Sequence, residues 1–449
     1  MISLKRVMIR KQRGFALASA ATAAILLAGC GSSAPSASGP AASAPGASAP
    51  AASAPAASAP AAAGSVHLAY WDFLDPSQDN PRSKALKTNL ANFQTANPGI
   101  AVDLSVVSLG DMLTRLPQAA AAGQAPDVFK MFTPVVSQMA AAGAYSPLPA
   151  AASGITDWLR PITNLTGPGG QQVAVPYEYR TCTFYYNQKI LDKLGVAVPT
   201  TYDEVVDVAK KAAAAGYTGF GTGFSNTDNS AVIGTFFECF MSQVGQDIWD
   251  ANGQAAFATQ KGEEFGNFLA KLKAAGGFGP NVVSDTYGSV VTGLTNGTVA
   301  MAVLGTERIV TFAATNPDIK WGPLPLASTG DHNGSVFGWT LGIGAGSKNV
   351  DAAWKFIEYM TGPAAGAVMA TGGEVPTRAA TYKDPYFATA AAATINSISD
   401  YVQKYSTPHH YANNYNAVSS ALAAAGQALV LNNTSGSQFI QSAQQAANK

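Results

Sequence analysis

Two charged side chains lie in a stretch of the sequence that is otherwise apolar and aromatic. Glu178 and Arg180 belong to residues 173–187, where Pro176 favours extended backbone and residues 183–186 are strand formers. Side chains two residues apart in a strand project from the same face. Both charges are therefore expected on one side of this strand, where they could bind a polar ligand at the wall of a cleft. The same pattern suits an edge strand whose charged face meets water.

The residues on either side alternate between strand and helix patterns. Short strands are predicted at 66–71 and 100–106, with a helix between them at 83–96 whose apolar residues recur at helical spacing. A second helix is predicted at 111–122, and a turn then leads into a short buried strand that ends at Phe129. This order predicts an α/β fold with βαβ units and helices on the faces of the sheet.

The fold prediction places several polar residues together. In open α/β sheets, ligands bind beyond the carboxyl ends of the strands. Asp72 and Phe73 follow the first predicted strand, and a loop predicted at 130–134 contains Lys130 and Phe132. These side chains are expected on one rim of the sheet.

Composition excludes several classes of function. Hydrophobic residues make up 47% of the 449 residues and charged residues only 12%, so a large core in two or three domains is possible. No basic stripe indicates a nucleic-acid partner. The sequence has no zinc-protease, nucleophile-elbow or P-loop motif, so we predict no cofactor, no metal and no catalytic residue. His409 and His410 are expected in solvent, and 342–346 is interpreted as a strand end.

The N-terminus has the features of an export signal. Residues 1–29 contain five basic residues and no acidic residue, followed by an apolar run at 15–27. The ending Leu-Ala-Gly-Cys at 27–30 looks like the lipobox of bacterial lipoproteins. We interpret 1–29 as a lipoprotein signal peptide and Cys30 as the lipid-bearing first residue of the mature chain. Removal of the signal leaves 22 basic and 27 acidic residues, a net charge of −5.

Residues 30–64 are interpreted as a tether. They are almost entirely Ala, Ser and Pro, a composition that cannot bury enough apolar area to offset its ordering entropy. Beyond this tether only Cys182 and Cys239 remain, in a compartment where disulfides can form. They are either bonded to each other or two buried thiols.

Six segments of the chain, in order, resemble the extracellular solute-binding proteins of ABC importers, in the sugar-binding branch that includes maltose-binding protein. The segments are 122–128, 176–189, 198–204, 296–301, 347–357 and 375–378. The resemblance implies a two-lobed periplasmic-binding-protein fold, type II-like, with an inter-lobe cleft and crossing strands. The implied lobes are 66–176 with 324–360, and 177–323 with 361–449. The first crossing is expected at 173–186, a return near 323–325 and a further exit at 359–363.

The resemblance also implies roles for individual residues. Arg180 falls where relatives place a ligand-bonding carboxylate, and Glu307 falls where a stacking Trp is common, so this chain departs from the family at both positions. Phe132, Trp339 and Tyr415 match aromatic positions at the cleft. With Glu374, which is also a candidate ion-pair partner of Arg378, the predicted ligand-binding residues are Asp72, Phe73, Lys130, Phe132, Glu178, Arg180, Glu307, Trp339, Glu374 and Tyr415.

The function implied is that of a substrate-binding lipoprotein, monomeric and anchored outside the cytoplasm, that captures a small solute and delivers it to an ABC permease. Aromatic faces and charged planar groups suit a carbohydrate. The charges at Arg180, Glu307 and Arg308 leave a sugar phosphate, an amino sugar or a polyol open. The alternatives are a tethered glycoside hydrolase, which would need two carboxylates at the bond it cleaves, and an adhesion lipoprotein.

Overall fold

The computed structural model describes residues 66–161, 165–227 and 231–449. The predicted signal peptide, the lipid-bearing Cys30 and the tether at 30–64 lie outside these residues. Among the helices that are described, none is both long and apolar enough to cross a membrane.

The described residues form strands and helices along their whole length. The strands are β1 Val66–Asp72, β2 Ile100–Val106, β3 Val128–Phe132, β4 Tyr145–Ser146, β5 Ala174–Arg180, β6 Cys182–Asn187, β7 Thr218–Gly221, β8 Val299–Gly305, β9 Ile319–Gly322, β10 Gly334–Gly344, β11 Val375–Pro376 and β12 Ser406–Pro408. The helices are α1 Pro81–Ala96, α2 Leu109–Ala121, α3 Val136–Ala141, α4 Gln188–Leu194, α5 Tyr202–Ala214, α6 Ala231–Gln243, α7 Gln260–Ala274, α8 Tyr287–Thr295, α9 Ile309–Thr315, α10 Val350–Met360, α11 Pro363–Thr371, α12 Ala393–Tyr405, α13 Tyr415–Leu431 and α14 Gly436–Ala447.

These strands build two sheets. The larger has the order β11-β5-β10-β3-β1-β2, and β4 and β12 also pair with β10. The smaller has the order β7-β8-β6-β9. In the larger sheet β1 is parallel to both β2 and β3, as the predicted βαβ units require. The pairing of β1 with β2 runs from Val66 opposite Ile100 to Asp72 opposite Val106.

Helix α1 shows why the first βαβ unit forms. The side chain of Asn80 caps its N-terminus by accepting a hydrogen bond from the Ser83 backbone N–H, and Pro81 occupies the first turn, where no backbone donor is needed. Its apolar face is buried, with Leu86 and Phe93 almost inaccessible. The Phe93 ring packs edge-on against Phe356 of α10 at 5.0 Å between centroids. Burial of this face holds the helix against the larger sheet.

The chain passes between the sheets at the segment predicted to cross. β5 belongs to the larger sheet and β6 to the smaller, and only Thr181 separates them. All seven residues of β5 are buried, so the edge-strand interpretation of Glu178 and Arg180 is wrong. A disulfide joins Cys182, the first residue of β6, to Cys239 of α6. The disulfide therefore attaches the start of β6, directly after the crossing, to helix α6.

Two further predictions differ from the structure. Residues 130–132 are not a loop but the end of β3, because β10 pairs with β3 as far as Trp339 opposite Phe132. His409 is not exposed: it is 5% accessible, and its ring lies near those of Trp249 and Tyr411.

β11 pairs with β5, so the larger sheet includes residues beyond the predicted lobe boundary at 360/361. Consistent with this, α11 packs against α1. β11 thus follows the exit expected at 359–363, and that exit stays a prediction. The lobe boundaries as a whole remain a prediction.

Candidate functional site

The crossing brings eight charged side chains into one buried group, which we call the charged cluster. Its acidic members are Asp72, Glu178, Glu307 and Glu374, and its basic members are Arg82, Lys130, Arg180 and Arg308. Six of these eight residues were predicted from the sequence to bind ligand; they are Asp72, Lys130, Glu178, Arg180, Glu307 and Glu374. The group forms because strand ends of the larger sheet meet the turn that follows β8 of the smaller sheet.

One half of the cluster consists of Lys130 and the two acids beside it, Asp72 and Glu374. The Lys130 side chain is inaccessible, and its Nζ atom lies 3.8 Å from Asp72 and 3.6 Å from Glu374. The same atom lies 4.4 Å from the centre of the Tyr177 ring and 4.8 Å from that of Phe73. A lysine can occupy this buried strand position because two carboxylates and two aromatic faces surround its charge.

Arg82 and Arg180 share the carboxylate of Glu178. Arg180 donates to both of its oxygens, at 2.7 and 3.0 Å, and Arg82 donates to it at 3.3 Å. Arg82 also donates to Glu374 at 2.8 Å, which links the two halves of the cluster. The two charges singled out on β5 therefore bind each other, through two parallel hydrogen bonds that fix the guanidinium plane.

The second half of the cluster reaches the smaller sheet. Arg180 of β5 lies 3.7 Å from Glu307, which follows β8. Glu307 accepts a hydrogen bond from Tyr287 at 2.7 Å and pairs with Arg308 at 3.5 Å. The ion pair of Arg180 with Glu307 thus connects the two sheets directly.

The pKa values of the buried acids follow from these partners. Burial alone raises the pKa of Glu374, but the charges of Lys130 and Arg82 outweigh it and lower the pKa to about 2. The pKa of Glu307 is also lowered, since Arg180 and Arg308 outweigh burial. For Glu178 burial is the larger effect and the pKa is raised, although Arg180 and Arg82 oppose it.

Aromatic rings cover the cluster. Phe73 stacks on Trp339 with 4.1 Å between ring centres, and Phe132 lies 5.6 Å from the same indole. Tyr415 of α13 meets Phe132 edge-on at 6.4 Å. All ten predicted binding residues therefore belong to one contiguous group of contacts.

A glycine allows Trp339 to reach this position. Gly338 has φ +147°, and a Cβ built on it would lie 1.8 Å from the carbonyl oxygen of Glu178. The pairing of β10 with β5 shifts register immediately afterwards, between Trp339 and Thr340. Only glycine accommodates this close approach, which turns the indole toward the cluster.

Several buried polar atoms here have no hydrogen-bond partner among the described residues. They are Lys130 Nζ, Trp339 Nε1, Arg308 Nε, Glu307 Oε2 and the hydroxyl of Tyr177. Such atoms are rare in folded proteins because each costs free energy when it is buried alone. Three are donors, one is an acceptor and the hydroxyl can be either, so a bound group that both donates and accepts would satisfy them.

Arg82 was not among the predicted residues, and Arg378 does not pair with Glu374 as predicted. Arg378 pairs with Asp157 and lies over the Trp158 ring at 5.4 Å, while Glu374 binds Arg82 and Lys130. The sequence does contain a signal for Arg82. A cation in the first turn of a helix interacts unfavourably with the helix dipole, so Arg82 is expected to pair with an acid elsewhere in the chain. Within the described part of the chain, no group of three or more potential ligands could hold a metal ion.

The family model described as bacterial extracellular solute-binding protein matches residues 78–367. A probable amino-acid ABC transporter periplasmic-binding protein of Sinorhizobium fredii is 27% identical over 209 residues, which are 45% of this chain and 46% of that protein. An erythritol/L-threitol-binding protein of Mycolicibacterium smegmatis is 24% identical over 217 residues, 46% of this chain and 45% of that protein. The chain spans about half the length of these curated relatives.

The fold has a solved counterpart over most of the chain. The maltose-bound MalE3 of T. maritima superposes with a TM-score of 0.71 at 22% identity, covering 85% of this chain and 99% of that one. At this identity the likeness concerns the fold alone. It confirms the predicted α/β fold with two lobes.

Proposed function

Because the chain belongs to the bacterial extracellular solute-binding proteins, we propose that it captures an uncharged, hydroxyl-rich solute, a sugar or a sugar alcohol, at the charged cluster. Family membership also means that the protein works outside the cytoplasm. The relatives are binding proteins, and we propose that this chain likewise binds its solute without converting it.

The unpartnered buried atoms of the cluster carry the proposal. Lys130 Nζ and Trp339 Nε1 each need an acceptor, and Glu307 Oε2 needs a donor. A hydroxyl is both donor and acceptor, and a polyol presents several hydroxyls at short, regular spacing. One such molecule could satisfy these atoms together while its C–H faces lie against the aromatic rings.

The balance of charge favours a neutral solute. Among the described residues the cluster has four acidic and four basic members, and each forms an ion pair within the cluster. A phosphate or an ammonium group would add an unbalanced charge to a buried site, which is costly. An amino acid, which one relative is named for, would have to displace existing ion pairs, whereas hydroxyls would not.

Capture by closure of the two lobes follows from the position of the cluster. The ion pair of Arg180 with Glu307 links the larger sheet to the turn after β8 of the smaller sheet. A solute that contacts both sides binds the closed form better than the open one, and only such a difference in affinity can shift the equilibrium toward closure. We propose that the closed form then delivers the solute to an ABC permease.

We further propose that the protein is a monomer held to the membrane by lipid at Cys30, with 30–64 as a spacer. Mass spectrometry of the purified N-terminal peptide should find a diacylated cysteine, and Cys30→Ser should release the protein from the membrane fraction. A soluble wild-type protein with an unmodified Cys30 would contradict this anchor.

A thermal-shift screen tests the choice of solute. Maltose, D-tagatose and erythritol represent neutral solutes, and glucose 6-phosphate, glucosamine and glutamate represent charged ones. We expect a neutral compound to raise the Tm, since a ligand at a hundred times its Kd stabilises the fold by about 2.7 kcal/mol. A response to charged compounds only would contradict the proposal. Chromatography of the bound compound after incubation should recover it unchanged, whereas cleavage would support the glycoside hydrolase alternative.

A further inference from the structure

Glu238 is a buried carboxyl outside the charged cluster. It lies on α6, next to the disulfide-bonded Cys239, and is 1% accessible. No lysine or arginine among the described residues forms an ion pair with it, in contrast to the four acids of the charged cluster. A buried carboxylate without an ion-pair partner costs free energy unless hydrogen-bond donors satisfy its oxygens.

Three hydroxyl groups supply those donors. One carboxylate oxygen accepts short hydrogen bonds from Ser335 and Tyr411, and the other accepts one from Tyr415 at 3.3 Å. The Ser335 and Tyr411 hydroxyls also lie 3.0 Å from each other. The three donors come from separate segments: the start of β10, the residues after β12 and the first residue of α13.

Two of these donors are close to places where a solute could lie. The Tyr415 ring meets Phe132, one of the aromatic residues over the charged cluster. Tyr411 lines a cavity of about 490 Å³ together with uncharged polar residues that include Asn252, Gln254 and Asn413. The carboxylate of Glu238 is thus the common acceptor for two tyrosines that face these regions.

We propose that Glu238 is a positioning residue of the binding site, whose ionised carboxylate fixes the hydroxyls of Tyr411 and Tyr415 and thereby raises affinity for the solute. This inference rests on the proposed function. It does not require Glu238 to touch the solute.

Proton uptake by Glu238 is expected to loosen this arrangement. Burial raises its pKa to about 7, although the three hydroxyl donors act in the opposite direction. The ionised carboxylate accepts all three hydrogen bonds, whereas the protonated form has a hydrogen of its own to donate, so one hydroxyl must turn away. Affinity should therefore be higher at pH 8 than at pH 6.

The other titratable groups nearby do not change charge in this range. Tyr411, from the segment after β12, and Tyr415, from α13, both have pKa values raised far above 10 by burial and by the charge of Glu238. The ring of His409 lies 5.6 Å from that of Tyr411, and burial lowers its pKa to about 4, so it stays neutral. From β10 the facing side chain is the non-titrating Ser335, and on α6 itself the non-titrating Thr235 hydrogen-bonds to Tyr415.

The test measures the affinity of the full chain for whichever of maltose, D-tagatose and erythritol raises its Tm, at pH 6 and pH 8. Wild-type affinity should be about 2- to 12-fold higher at pH 8, the range that corresponds to one hydrogen bond. Glu238→Gln should bind with the weaker affinity at both pH values. Tyr415→Phe, which keeps the ring, should reduce the pH dependence, and Glu264→Gln, an acid on α7 that bonds to Ser328, should behave as wild type.

A second measurement does not depend on a ligand. The ¹⁹F resonances of 3-fluorotyrosine at 411 and 415, assigned with Tyr→Phe variants, should titrate with a midpoint near pH 7 in the wild type and not in Glu238→Gln. Failure of every compound to bind the wild type would overturn the proposed function, and with it the effect on affinity. Binding that is equal in wild type and Glu238→Gln at both pH values, or ¹⁹F resonances that do not titrate, would overturn the role of Glu238.

Discussion

Glu374→Gln is the substitution that tests most sharply whether the charged cluster holds the fold together. It keeps the size of the side chain and removes one charge from a group in which every charge is paired and all but Arg82 and Arg308 are buried. Lys130 would keep Asp72 at 3.8 Å, and Arg82 would keep Glu178 at 3.3 Å, but both would lose their nearer carboxylate.

The expected cost follows from that geometry. Loss of one partner of a buried ion pair costs about 3–5 kcal/mol because the remaining charge is left without compensation. Since Lys130 and Arg82 each retain one acid, we expect a value near the lower end, about 3 kcal/mol.

Urea unfolding of the full chain measures this effect. Asp79→Asn is the matched control, since the pair of Asp79 with Lys84 is exposed and solvent screens it. It should unfold at the wild-type urea concentration. A loss below about 1 kcal/mol for Glu374→Gln would refute this explanation of the cluster.

The same variant should alter the dependence of stability on pH. The pKa of Glu374 in the fold is about 2, below its ordinary value of 4.5. A carboxyl with a lowered folded pKa stabilises the protein when ionised, so its contribution is complete above about pH 5 and is lost as the pH falls toward 2. Stability of Glu374→Gln should therefore fall less steeply than that of the wild type between pH 5 and pH 2.

Three further substitutions give independent tests. Trp339→Phe keeps one aromatic ring and removes the five-membered ring with its unpartnered Nε1 donor, so affinity for a neutral solute should fall about 2- to 12-fold in calorimetric titration, and the Tm should also fall because the smaller ring leaves a cavity at a buried position. Gly338→Ala should lower the free energy of unfolding by at least about 1–3 kcal/mol in urea, because its Cβ meets the Glu178 carbonyl; unchanged stability would show that the strands can separate there. Cys182→Ser/Cys239→Ser should lower it by about 2–4 kcal/mol, since the bond closes a loop with a sequence separation of 57; equal stability of the double variant and the oxidised wild type would contradict this.

Local sequence patterns predicted the elements well where their determinants are near in sequence. The helix expected at 83–96 is α1 at Pro81–Ala96, and the strand expected at 100–106 is β2 with the same bounds. Each depends on apolar spacing and on caps within a few residues. The passage between the sheets at 173–186 was predicted only with the help of the family resemblance, because strand pairing depends on distant residues.

The charged cluster shows what local patterns cannot predict. Lys130 was predicted to lie in a loop at 130–134, because the two carboxylates that pair with it belong to Asp72 and Glu374, which are distant in the sequence. Arg82 binds acids 96 and 292 residues away. Glu238 lies in an apolar helix whose hydroxyl donors are 97 to 177 residues away. Each residue is identified only when the fold brings its partners together.

The most direct test of the account is the affinity of Glu307→Gln for a neutral sugar or sugar alcohol that the wild type binds, measured by calorimetric titration with Glu358→Gln, an exposed acid on α10, as control. Loss of the charged acceptor at Oε2 should weaken binding about 10- to 150-fold, the range for hydrogen bonds to charged groups, and the control should bind as the wild type does. Equal affinity of Glu307→Gln and wild type, with both folded, would show that the solute does not bind at the charged cluster.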